Sequence, residues 1–225
     1  MFSSSAKKYL SFSCFYSSKI IITLIVLIIS VCFNYCSFAQ SVNVISKQSY
    51  RWYFGNRAGL NFTTTPPSVL YDGALFSNEV CASISDKNSG RLLFYTNGNS
   101  VWDSSHQVMP NGSNLMGRLD SEQGVIVPFP GHSNQYYIVS TTYINGMYYS
   151  IVDMSLNAGK GDVVVDKKNI KLLNPGIASD KVTYTHHANK RDFWIIAKES
   201  YSNVFYVYLL DINGLQIVDT ISIDF

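Results

Sequence analysis

Cys81–Asp103, CASISDKNSGRLLFYTNGNSVWD, is the stretch whose reading decides the fold. Three apolar runs, Cys81–Ile84, Leu92–Tyr95 and Val101–Trp102, are separated by clusters of Asp, Asn, Ser and Gly. The runs are too short for helices, and the residues between them are those that close tight hairpins, where Gly and Asn accept a positive φ. The stretch therefore reads as an antiparallel meander.

The same plan returns twice. Gly124–Phe129 leads through Pro130-Gly131-His132-Ser133-Asn134 into Tyr136–Thr141 and then Met147–Asp153. Val182–His186 leads through Ala188-Asn189-Lys190-Arg191-Asp192 into Phe193–Ala197 and then Val204–Asp211. Every third run closes on an aspartate before a turn, Asp103, Asp153 and Asp211, at separations of 50 and 58 residues. That spacing is close to the period of about 50 residues of four-stranded propeller blades. Outer fourth strands fit Gln107–Met109, Gly161–Val165 and Gln216–Ile223. The expectation is an all-β, β-propeller-like chain of about three four-stranded blades, at residues 80–120, 121–176 and 177–225; a β-sandwich with coincidental spacing is the alternative. Rings of this kind take about 4 to 8 blades. Three leave the ring incomplete, so the chain is expected to be the first part of a longer protein, with closure by self-association as the other option.

Residues 1–39 have the layout of a secretory signal peptide. Lys7, Lys8 and Lys19 precede an apolar core, Ile20–Phe33, and Ser37-Phe38-Ala39 supplies small residues at the positions a signal peptidase reads, so cleavage is expected between Ala39 and Gln40. The core of 14 residues is short against the roughly 20 that span a bilayer, which disfavours a retained anchor. Contact with a membrane is expected only through this segment if it stays uncleaved. Cys32 and Cys36 are each preceded by a large residue, Val31 and Tyr35, rather than the small one that lipidation requires.

The leader holds three of the 17 basic residues and none of the 15 acidic ones, so Gln40–Phe225 carries 14 basic groups against 15 acidic. Such a balance supplies no field that draws a domain to nucleic acid. Cys81 is the one cysteine left, which excludes an internal disulfide and fits a small core residue. Residues 40–79 read as a lead-in. Within it Trp52–Phe54 is the candidate for a strand that completes the last blade, and Pro66-Pro67 bars sheet pairing. No amphipathic helix is legible; Leu156-Asn157-Ala158-Gly159 and Leu173–Ser179 read as loops.

A resemblance rests on these residues. Trp52-Tyr53-Phe54-Gly55-Asn56, Ala58-Gly59-Leu60-Asn61-Phe62, Asn78–Asp86, Leu92–Gly98, Val101-Trp102-Asp103, His106–Gly112 and Tyr148–Met154 together look like the N-terminal propeller-like region of large secreted bacterial surface proteins, similar to gliding-motility-associated and type IX-secreted proteins. In that family the propeller is followed by immunoglobulin-like or PKD repeats and a C-terminal sorting domain. The resemblance implies a secreted or outer-surface location, further domains in cis, and a surface protein or glycan as partner. The repeats, the sorting domain and the remaining blades are not in this sequence.

Chemistry-bearing motifs are sparse. Asp86-Lys87-Asn88-Ser89-Gly90 has too few alternating oxygens for a calcium loop and the wrong Asp-to-Gly spacing for an Asp-box, so it reads as a hairpin turn, as does Asp211-Ile212-Asn213-Gly214. His186 and His187 are adjacent, and on a strand they face opposite ways, so they cannot share an ion. Gly159-Lys160-Gly161 lacks the rest of a phosphate loop, and Lys167, Lys168 and Lys171 read as a solvated edge. No catalytic residue, metal or cofactor is expected. Tyr143, Asn145, Tyr148 and His132 lie near turns and are the candidates for contact with a sugar or peptide. The expected function is a non-catalytic interaction module; the alternative is a propeller-type polysaccharide hydrolase or lyase whose catalytic residues lie in blades beyond this sequence.

Overall fold

The computed structural model describes residues 46–117 and 123–223; the expected leader, the cleavage expected between Ala39 and Gln40, and the start of the lead-in lie outside the described residues. The described residues are all-β and form four consecutive antiparallel sheets. The first contains β1 (Arg51–Phe54), β2 (Ala58–Asn61) and β3 (Ser68–Leu70). The second contains β4 (Ala82–Ser85), β5 (Leu92–Thr96) and β6 (Val101–Asp103), with a single bridge from Trp102 to Val108 where a fourth strand was expected. In the third, β7 (Gln123–Pro128), β8 (Gln135–Thr142) and β9 (Gly146–Asp153) form a meander whose outer edge is shared by β10 (Asp162–Val163) and β11 (Ile170–Leu173). The fourth is β12 (Ala178–His186), β13 (Phe193–Glu199), β14 (Val204–Asp211) and β15 (Gly214–Ser222). No helix among the described residues is long and apolar enough to cross a membrane.

Two expectations change. Trp52–Phe54 does not complete a distant sheet: β1 pairs with β2, Trp52 opposite Leu60, so the lead-in builds a sheet of its own and the meanders number four rather than three. The Gly55 turn, at φ 59°, folds β1 back at once, and local pairing needs no long loop to close. The second change is β11, where no strand was expected and Lys171 was read as part of a solvated edge; Ile170 and Lys171 pair with Tyr149 and Tyr148 of β9.

The strand-ending aspartates have a local cause. Asp103 Oδ1 accepts the backbone N–H groups of Ser105 (2.7 Å) and Gln107 (3.1 Å), Asp153 Oδ1 that of Ser155 (2.8 Å), and Asp211 Oδ1 that of Asn213 (2.8 Å). A side chain that satisfies the turn's own donors competes with the sheet ladder and stops the strand. Asp86 serves the β4–β5 hairpin likewise, accepting from the backbone and hydroxyl of Ser89 (both 2.7 Å), bonds that hold its carboxyl below the ordinary range.

Packing explains why the strands read as unbroken apolar runs. Alternate side chains on a strand face opposite ways. Phe94 enters a core shared with Ile126, Tyr136 and Ile138 of the third sheet, while its neighbour Tyr95 enters a core shared with Tyr53 of the first. Likewise Tyr136 and Ile138 face the second sheet, and Tyr137 and Val139 face Ile195, Tyr208 and Leu210 of the fourth. The two middle sheets are thus buried on both faces, and each interface has its own apolar core. Full burial of one such side chain contributes about 1.5–3 kcal/mol. Successive first strands, β1, β4, β7 and β12, are neighbours. Cys81 lies half-buried against the first core, and burial pushes its thiol pKa up, which favours the neutral thiol over the thiolate.

The turn before β13 carries an acid-sensitive lock. Arg191 donates to both oxygens of the buried Asp192 carboxylate, Nε at 2.7 Å and Nη2 at 2.9 Å, and Asn189 Nδ2 adds a third bond. The guanidinium hydrogen bond, with the amide behind it, lowers the Asp192 pKa from 3.8 to about 2. A depressed carboxyl contributes stability that is complete above its unfolded pKa and is lost as pH falls through the folded one. Wild-type protein is therefore expected to lose melting temperature from about pH 4 down to about 2 more steeply than Asp192→Asn. Parallel slopes in melting scans from pH 6 to 2 would refute this.

Candidate functional site

The densest polar constellation lies where the first three sheets meet. Arg51 and Tyr53 share one face of β1, the face toward the second sheet, because they are two residues apart. Tyr53 reaches the Asp72-Gly73 turn after β3 and donates its hydroxyl to Asp72 Oδ1 at 3.0 Å. Gly73 is required there, since a Cβ would stand 2.8 Å from Tyr53 Cδ1. On the other side, fully buried Tyr95 of β5 stacks between Tyr53 (ring centroids 4.7 Å) and Trp102 (5.5 Å).

The turn held by Asp103 delivers His106 at φ 63°, in the left-handed region. His106 Nδ1 is 3.0 Å from the Tyr95 hydroxyl, and Nε2 is 3.4 Å from Asp72 Oδ2. Tyr95 also accepts the Ala74 N–H at 3.0 Å. With the Tyr95 hydroxyl donating to Nδ1, the Nε2–H of His106 faces Asp72. The phenols are poor acids in this setting. Burial pushes the Tyr95 pKa up to about 12, and burial together with the Asp72 carboxylate pushes Tyr53 above its ordinary value. Both remain protonated donors at neutral pH.

Beside this network opens a cleft of about 450 Å³. Arg51, Tyr53 and Asp72 come from the first sheet; Asp86, Arg91, Leu92, Leu93, Ser104 and His106 from the second; Met154 and Gly159 from the β9–β10 turn of the third. Its two acids are engaged, Asp72 by Tyr53 and His106, Asp86 by its own turn. Its two arginines are not: neither guanidinium makes a hydrogen bond or ion pair among the described residues, and Arg51 Nε is buried without a partner.

The residues picked from sequence lie elsewhere. Tyr143 is exposed at the β8–β9 turn, edge-on to Tyr201 of the fourth sheet at 5.9 Å. Asn145 shares that turn and donates to the Met116 carbonyl at 3.0 Å. Tyr148 stands half-buried in β9, between Ser140 and Lys171. His132 is at the opposite end of β8, about 25 Å away by strand rise, stacked on Phe129 (3.9 Å) with Nε2 3.3 Å from the Ile212 carbonyl. Tyr143 and Asn145 are brought together; His132 is not with them, and none of the four lines the cleft. His186 and His187 do face opposite ways, one against Phe193 and the other against Trp194. Among the described residues no three His, Cys, Asp or Glu side chains group as metal ligands.

Of the cleft residues, the sequence puts Asp86 in a hairpin turn, Gly159 in a loop and Tyr53, Leu92 and Leu93 in apolar runs, and it marks none of them as a binding candidate. Asp72 and His106 are 34 positions apart and carry no motif spacing. Comparison of the chain with protein-family models, with curated proteins and with solved structures finds no match in any of the three.

Proposed function

We propose that the four sheets are blades of a propeller-like array and that the chain is a secreted or cell-surface, non-catalytic interaction module, part of an adhesin-like or motility-associated surface protein. The observation that carries the binding role is the cleft: three successive sheets line it, and its guanidiniums make no hydrogen bond or ion pair among the described residues. The sheet stack supports the propeller arrangement, because each sheet meets the next face to face and the first strands are neighbours. Location outside the cell rests on the leader pattern of residues 1–39. The Tyr143–Asn145 turn with Tyr148 is a second contact surface, and His132 a separate one at the far end of the third sheet.

The test is co-sedimentation of the protein with polysaccharide and protein fractions of a bacterial envelope, with reducing ends assayed in parallel. Expected are saturable binding to one fraction and no new reducing ends. Reducing ends that accumulate with time would replace this reading by the polysaccharide hydrolase or lyase. Tyr143→Ala and Tyr148→Ala enter the same assay, and unchanged binding by both would remove the second surface.

A further inference from the structure

Resting on the reading of the cleft as a binding site, we infer that it takes an acidic sugar, a hexuronic acid residue whose carboxylate is gripped by Arg51 and Arg91. The sign of the ligand follows from which groups are already satisfied. Asp72 and Asp86 each receive hydrogen bonds from their own surroundings, whereas neither cleft guanidinium makes a hydrogen bond or ion pair among the described residues, Arg91 feeling only the longer-range attraction of Asp86. Arg51 Nε is buried without an acceptor, so the groups of Arg51 that a bound carboxylate would meet are its outer Nη atoms. Guanidinium forks fit the two oxygens of a carboxylate better than they fit a lone hydroxyl.

The rest of the lining selects sugar over peptide. The Asp72 side chain remains 57% exposed, with acceptor sites beyond those used by Tyr53 and His106, and Ser104 offers a hydroxyl beside it. These groups match a ligand that carries several hydroxyls next to its carboxylate. An acidic amino-acid side chain has the carboxylate and no hydroxyls to offer them. Leu92, Leu93 and Met154 give an apolar wall for the face of a sugar ring, and about 450 Å³ holds one or two such rings rather than an extended peptide.

Titration calorimetry on the full chain tests this with three probes: digalacturonate, the neutral digalactose, and a glutamate-containing dipeptide. Digalacturonate is expected to bind, more weakly as salt rises, with the other two at least tenfold weaker. Loss of a hydrogen bond to a charged group corresponds to about a tenfold to hundredfold change in affinity, which is the drop expected for Arg91→Gln. Arg91 is exposed on a turn, so that variant should fold; Arg51→Gln is the second, with its melting curve recorded alongside. Equal binding of digalactose, tighter binding of the dipeptide, no binding by any probe, or digalacturonate affinity untouched in both variants would each overturn the assignment. Binding of digalactose or dipeptide in place of digalacturonate leaves the interaction-module reading standing. Release of reducing ends from either sugar defeats that reading instead.

Discussion

Replacing Tyr95 by alanine is expected to cost the protein most of its stability. The ring is fully buried between Tyr53 and Trp102, and truncation of a large buried aromatic costs about 3–5 kcal/mol. Whole domains have only about 5–15 kcal/mol to lose. Two further losses follow, because the Ala74 N–H and His106 Nδ1 both bond to the Tyr95 hydroxyl and would be left without it. Tyr95→Phe separates the contributions. It keeps the stack and removes the hydroxyl, for an expected cost of about 1–3 kcal/mol. Urea unfolding gives both values, and in a domain of this size the alanine variant should melt about 10 °C or more below wild type. Hydrogen exchange should locate the damage in β1–β6 and spare β12–β15, since Tyr95 belongs to the core between the first and second sheets. The cleft would go with it, because Arg51 and Tyr53 stand on one side of that core and Arg91 and His106 on the other. A Tyr95→Ala protein within about 1 kcal/mol of wild type would mean that the stacked rings are not what joins the sheets.

What the sequence made legible follows the range of the interaction. Asp103, Asp153 and Asp211 end their strands through bonds to donors two to four residues on, so a local pattern announced them. The meander Cys81–Asp103 was readable for the same reason, since a hairpin is closed by its own turn. The first sheet escaped because Trp52-Tyr53-Phe54 reads as one aromatic run whichever partner it takes. The outer edge of the third sheet was half seen: β10 was expected, β11 was not, and the two share β9 by splitting its length. The cleft was not visible at all. Asp72, Arg91 and His106 belong to different turns, and only the face-to-face contact of sheets, which has no sequence period, puts them around one space. Tyr143 and Asn145 drew notice as turn residues, and turn chemistry does not say which turns of neighbouring sheets meet.

Asp162→Ala is the second change from which a large effect is expected, and it tests whether polar ties as well as apolar cores hold the sheets together. Asp162 is buried at the start of β10, yet it serves the second sheet: Oδ1 accepts the backbone N–H of Asn111 at 2.8 Å, and Oδ2 accepts Asn111 Nδ2 at 2.7 Å. Oδ1 also takes the N–H of Val163 at 2.8 Å. Hydrogen bonds to a charged group contribute about 1.5–3 kcal/mol each and are not additive within one cluster, so about 3–4 kcal/mol is expected for the alanine variant. Asp162→Asn retains the shape and the backbone bonds but can set an amide against Asn111 Nδ2; about 1–2 kcal/mol is expected there. A double-mutant cycle with Asn111→Ala should return a coupling of about 1–3 kcal/mol, since the two residues act through each other. The effect should reach the cleft without any contact to ligand, because the β9–β10 turn that ends at Asp162 also supplies Met154 and Gly159 to the lining. Ligand affinity should therefore fall in Asp162→Ala protein even at temperatures where it is fully folded. If the variant unfolds within about 0.5 kcal/mol of wild type, the apolar cores alone fix the spacing of the second and third sheets, and the position of the cleft wall is set by Phe94, Ile126 and Ile138 rather than by this carboxylate.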